Sequence, residues 1–203
     1  MTFSFFSCVR GGPGEIRGQQ MAHHLGGKFN PTDGYENDCC VYVIGTSPAE
    51  NKEPALAYHD VMDCGWGRIS RVRRRTHGGI IALSQTHRDS LVEALPERTV
   101  YLIPQHHCNF LREAIPERPV LRVGAIGGDS AVQWPHHAVE RMVNALGLEW
   151  HYESHYHRRW RVVEFYKTID IQLSFRPTHA RSIPLHMNCL KLANAGSFGI
   201  PTV

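Results

Sequence analysis

Long hydrophobic runs are missing from this sequence. The longest, Cys39-Cys40-Val41-Tyr42-Val43-Ile44, is only strand-sized, whereas a membrane-spanning helix needs roughly 20 apolar residues. The opening stretch Met1-Thr2-Phe3-Ser4-Phe5-Phe6 lacks the basic residues of a secretion signal and reads as a first strand running into a glycine-rich loop. Cys-x-x-Cys pairs are missing too. The six cysteines, Cys8, Cys39, Cys40, Cys64, Cys108 and Cys189, are scattered. That pattern excludes a dense disulfide framework and leads us to expect reduced, packed thiols in a cytoplasmic protein. Low-complexity tracts and short-period repeats are also absent. With 42% hydrophobic and 20% charged residues, the composition is that of an ordinary globular chain rather than a disordered one. A formal charge of +3 suits small anionic ligands without demanding a polyanionic partner.

Histidine is plentiful, at 14 residues, and the clusters are His106-His107-Cys108, His136-His137 and His151-x-x-x-His155-x-His157. None completes the four-ligand set of a structural zinc site, so no metal is expected. Arg68, Arg71, Arg73, Arg74 and Arg75 form a basic run that reads as a solvated face. No aromatic platform accompanies it, so nucleic acid is not the expected partner.

What the sequence does contain is alternation of strand and helix signals. Strands are expected at 2–9, 39–44, 55–58, 79–83 and 99–103, with helices at 15–25 and from Thr86 to about Leu95. The run 105–119 carries Pro116 and Pro119 and shows no strong periodicity. After it the alternation restarts, with strands at 120–123, 148–152 and 169–173. Helices are expected from Pro135, at 162–168 and at about 185–195, with a final strand opening at Gly199. Strands separated by helical segments require parallel sheets, because a parallel neighbour is reached only by a crossover. The expected fold class is therefore α/β, with two Rossmann-like domains whose parallel sheets face a cleft. The expected domains are 1–105 and 119–203, with 106–118 as the linker.

Several segments in the second half resemble those of GT-B glycosyltransferases, most closely the retaining group 1, or family 4, type. Val120-Leu121-Arg122-Val123-Gly124 looks like the first strand of their donor-binding domain. Phe165-Tyr166-Lys167-Thr168-Ile169-Asp170-Ile171-Gln172-Leu173 is similar to their segment leading to a donor-site loop. The most specific match is the last 13 residues, Lys191 to Val203, which resemble the family's K-x-x-E/N-A-x-x-x-G-(I/V)-P-(V/T)-V stretch. Looser matches in the first half are Gly11-Gly12, like its glycine loop, and Val100 to Pro104. There are departures: Asn194 stands where many relatives have a ribose-binding glutamate, and His186 where one branch has a second acid. Gly127-Gly128-Asp129 replaces a basic-Gly element, and a packed-back C-terminal helix is not seen after Val203.

The resemblance implies transfer of a sugar from a nucleotide-sugar co-substrate to a glycan, lipid or protein acceptor, with no cofactor and no metal. That agrees with the lack of any Asp-x-Asp. Arg176 and Lys191 would neutralise the departing diphosphate. Asn194 would contact the ribose, and the backbone at Ser182 would offer helix N–H groups. Gly127 and Gly128 would line the donor side, Gly11 and Gly12 the acceptor side. His59 is the candidate acceptor-site base, although Asp60 beside it must point the opposite way on a strand. Two alternatives stand beside this one: a non-catalytic GT-B-like binding or assembly module, and a sugar-nucleotide epimerase. A final strand left unpaired by its own sheet would offer an edge to a protein partner or a second copy.

Overall fold

The structure, a computed structural model, describes residues 1–8, 11–43, 56–61, 72, 78–127, 135–154, 158–174 and 189–203. They fall into two compact units, one drawn from 1–105 and the other from 106–174 and 189–203. Among the described residues no helix is long and apolar enough to cross a membrane, and the described cysteines form no disulfide.

The first unit is built on six parallel strands: β1 (Phe3–Phe6), β2 (Lys28–Phe29), β3 (Cys39–Val43), β4 (Ala57–Asp60), β5 (Gly79–Ala82) and β6 (Val100–Leu102). Their order across the sheet is β2-β1-β3-β4-β5-β6. The register places Phe6, Tyr42, His59 and Ile80 side by side on one face. By the two-residue pleat, Phe5, Val41, Val43, Asp60 and Ile81 lie on the other. Both faces are apolar in the sequence and both become covered, as an all-parallel sheet requires.

The segment α1 joins β1 to β2 as an α-turn (Gly12–Gly14), a π-helical stretch (Glu15–Gln19) and an α-helical end (Gln20–His24). Met21 and Ala22 pack it against Phe3, Phe5, Val41 and Val43. Helix α2 (Gln85–Ala94) covers the opposite face, setting Leu91 and the following Leu95 on Ile80, Ala82 and Val100. Each such fully buried aliphatic side chain contributes about 1.5–3 kcal/mol relative to exposure. Ser84 caps α2, its side chain accepting from the His87 N–H at 3.2 Å, and His87 Nδ1 reaches back to accept from the Leu83 N–H at 3.3 Å. The cap thus falls two residues earlier than the Thr86 expected from sequence.

Strand β2 was not expected. It is two residues long, too short for a periodic signal, and is held from outside itself. Lys28 donates to Asp38 at 3.0 Å, and Asp38 accepts from Ser4 Oγ on β1 at 2.6 Å. These contacts, Ser4 first and Lys28 second, hold the Asp38 carboxyl below the usual carboxylate range. The run 30–38 returns the chain to β3 and sets the ring of Tyr35 edge-on against Phe6, 5.0 Å away.

The second unit contains β7 (Arg122–Ile126), β8 (Glu149–Glu153) and β9 (Ile171–Gln172), parallel and in the order β8-β7-β9. Its helices are α3 (His136–Ala145), α4 (Arg159–Lys167) and α5 (Leu190–Ser197). Val139 of α3 packs with Ala125, Trp150, Tyr152 and Leu173 on one face. Phe165 of α4 meets His151 on the other, where Tyr166 also stacks on Phe198, 5.7 Å away. The chain end pairs within its own sheet. Thr202 bridges to Gln172 in parallel, and Val203 N–H donates to the Gln172 carbonyl at 2.9 Å. The inner side of that last segment is therefore occupied by β9 and not left open.

The stretch 106–118, read from sequence as the join between halves, belongs to the second unit. Cys108 N–H donates to Asn194 on α5 at 2.8 Å, Arg159 donates to the Cys108 carbonyl at 3.2 Å, and Lys167 pairs with Glu113 at 2.9 Å. Among the described residues two non-glycine residues have positive φ, Asn30 at 49° and Arg112 at 56°. Asn is among the residue types that tolerate this region; for Arg the conformation costs on the order of 1 kcal/mol.

Gly78 gives the sharpest test of the packing around β4 and β5. Its φ is +86°, and a Cβ there would lie 1.6 Å from the carbonyl oxygen of Ala57. We expect Gly78→Ala to lower stability by at least about 2 kcal/mol, from strained backbone and displaced strand together. Urea unfolding reads this directly, and an unchanged midpoint would contradict the placement of Gly78 against β4.

Candidate functional site

Open parallel sheets bind ligands beyond the C-terminal ends of their strands, where the direction of winding reverses. In the first unit the reversal lies between β1 and β3, because the chain goes from β1 outward to β2 and returns to the other side of β1. The loop leaving β1 reaches Gly11 and Gly12, which are buried at the start of α1; Gly11 accepts from the Glu15 N–H at 2.8 Å. Gly11 has extended backbone, with φ 169°, a conformation that any residue adopts.

One helical turn on, the π-helical stretch turns Arg17 toward the sheet. Its Nε donates to Oδ2 of Asp60, the last residue of β4, and both side chains are 3% exposed. Burying two charges costs several kcal/mol per ion before their attraction offsets it. A π-helical stretch is itself a feature that recurs at functional sites. The pair therefore marks the C-terminal edge of this sheet as chemically unusual. His59 does not join it. The pleat sends its ring to the opposite face, fully buried and stacked on Tyr42 at 5.5 Å. The residue expected as an acceptor-site base thus packs in the core, and Asp60 with Arg17 holds the edge.

In the second unit the reversal lies between β7 and β9. Gly127 follows β7; its N–H donates to the Glu153 carbonyl at 3.0 Å, and its own carbonyl accepts from the Tyr152 hydroxyl. Helix α5 precedes a segment parallel with β9 and carries Lys191 in its first turn; a helix that leads into a parallel strand starts toward the C-terminal edge of the sheet, the edge at which Gly127 follows β7. Tyr166 fixes that turn from below, donating to the Lys191 carbonyl at 3.3 Å. Burial pushes the Tyr166 phenol far above its ordinary range, which keeps it a donor.

Asn194, one turn along α5, is 2% exposed, and its side-chain oxygen is engaged by the Cys108 N–H. It braces 106–113 against α5 rather than facing outward. Burial also pushes the Cys108 thiol up to about 12, which makes it a packed group and no nucleophile. Cys108 is the packed thiol expected from sequence, whereas Asn109 and Tyr152 were not singled out, because their roles rest on single polar contacts without any period. Arg176, Ser182 and Gly128 lie outside the described residues, as does the basic run of Arg68, Arg71, Arg73, Arg74 and Arg75. Among the described residues no three His, Cys, Asp or Glu side chains converge on a metal position. His136 instead lies edge-on to Tyr152, and His151 bonds Thr168 Oγ1 at 2.7 Å.

Comparison with models of known families, with curated proteins and with solved structures finds no match.

Removing Asp60 takes away the carboxylate to which the buried Arg17 donates. We expect Asp60→Ala to cost about 3–5 kcal/mol, while Arg17→Met combined with Asp60→Leu recovers most of it. Chemical denaturation of the three variants checks both statements; a single variant as stable as the parent would remove the pair from the edge's design.

Proposed function

We propose that this chain is a glycosyltransferase of the GT-B type, binding a nucleotide-sugar donor at the C-terminal edge of the second unit's sheet. The observation that supports it most is that Lys191 lies in the first turn of α5, the helix that precedes the segment paired in parallel with β9. A donor diphosphate needs backbone N–H groups and a cation together, and a helix start bearing a lysine supplies both. The helix also belongs to the Lys191–Val203 segment that carries the resemblance. Arg176 and the backbone at Ser182 would complete the anion site. The acceptor would be held near Gly11 and Gly12 at the corresponding edge of the first unit, and with this reading comes the two-domain arrangement of the class. Catalysis would then consist of positioning and of stabilising the departing nucleoside diphosphate.

Asn194 favours a second reading. Its side chain is withdrawn into the unit, where the resemblance implies a ribose contact, so a nucleotide-binding module without turnover is the alternative to weigh. Thermal unfolding with UDP, GDP and ADP, each at millimolar concentration, tests the donor site. A bound diphosphate at 100 times its Kd adds about 2.7 kcal/mol to apparent stability. Lys191→Ala should weaken that binding by about 1.5–3 kcal/mol. No shift with any nucleotide contradicts the proposal, and binding without sugar transfer or hydrolysis selects the module.

A further inference from the structure

A cleft of about 490 Å³ opens on the second unit, lined by His107, Asn109, Phe110, Arg112, Glu113 and Ser197. Ser197 ends α5 and Lys191 lies in its first turn, so the cleft sits at the opposite end of that helix, roughly 9 Å away along the axis at 1.5 Å per residue. It is separate from the edge discussed above.

Its floor is rigid. Asn109 is buried and makes a closed set of bonds: its Oδ1 accepts from the Glu113 N–H at 2.8 Å, and its Nδ2 donates to the carbonyls of Glu113 and Ser197, each at 3.0 Å. The turn so clamped holds Arg112 at a φ of 56°. Glycine would occupy that position without strain, yet the chain carries its most extended cation there. The Arg112 side chain is exposed, and among the described residues its guanidinium makes no hydrogen bond or ion pair. The nearest ion pairs engage Lys167 and not Arg112. Glu113 accepts from Lys167 at 2.9 Å, and Lys167 also pairs with Glu164 at 3.0 Å. Burial holds the His107 imidazole below its ordinary range, so it is neutral at neutral pH. Among the described residues Arg112 is the cation of the lining with no carboxylate in ion-pair contact, and it lines the cleft together with Phe110.

We propose that this cleft binds a small ligand bearing an oxyanion, carboxylate or phosphate, on a planar ring: the oxyanion meets the Arg112 fork and the ring lies on Phe110. The clamped turn fixes the backbone from which Arg112 reaches the cleft.

Isothermal titration and amide NMR on the whole chain test this with four probes. Phenyl phosphate and benzoate separate phosphate from carboxylate; inorganic phosphate and benzyl alcohol are the two halves alone. At least one ring-bearing anion is expected to bind saturably at millimolar concentration, more tightly than either half, with shifts at the amides of 107–113. Arg112→Gly should weaken that binding about tenfold or more, while its melting temperature equals or exceeds the parent's. Arg112→Lys should retain part of the affinity, and Lys191→Ala all of it. Neither ring-bearing anion binding, undiminished binding by Arg112→Gly, or a loss on Lys191→Ala equal to that on Arg112→Gly would each overturn the proposal.

Discussion

Parallel strand pairing constrains everything else in both units. A parallel neighbour cannot be reached by a tight turn, so the chain must cross a face of the sheet between each pair. Every crossover leaves from the C-terminal edge and re-enters at the other. That edge therefore collects the loops, helix starts and glycines, including Gly11, Gly12, Gly127 and Lys191, whatever their separation in sequence. It also forces both faces to be covered, and α1 and α2 lie on opposite sides of the first sheet for this reason.

Much of this framework was legible beforehand. Cys39–Val43 and Gly79–Ala82 are continuous apolar runs, and such runs have few alternatives to a doubly covered strand. The opposite orientations of His59 and Asp60 follow from the pleat alone. Less legible were features fixed by partners distant in sequence. Strand β2 is anchored through Asp38, which accepts from both Lys28 and Ser4. The π-helical geometry around Arg17 answers to Asp60, 43 positions away. The stretch 106–118 looked like a linker because bracing by Cys108, Asn109 and Glu113 uses single polar contacts, which leave no hydrophobic period to detect.

The two candidate edges differ in how they spend polar groups. In the first unit a buried cation and carboxylate satisfy each other beside a glycine loop, a compact and rigid arrangement. In the second, the buried groups of Tyr166 and Asn194 hold α5 in place from beneath, so that its first turn is fixed by packing while Lys191 stands half-buried at the edge. A helix start held in that way costs little reorganisation on receiving an anion, and preorganisation is what favours binding there.

The most direct test is to map where a nucleoside diphosphate touches the protein, by backbone amide shifts on titration with UDP and GDP. The predicted result is perturbation centred on Gly127 and on the start of α5 from Cys189 to Lys191. Perturbation confined to the first unit, around Gly11 and Gly12, would contradict a donor site at the edge of the second sheet.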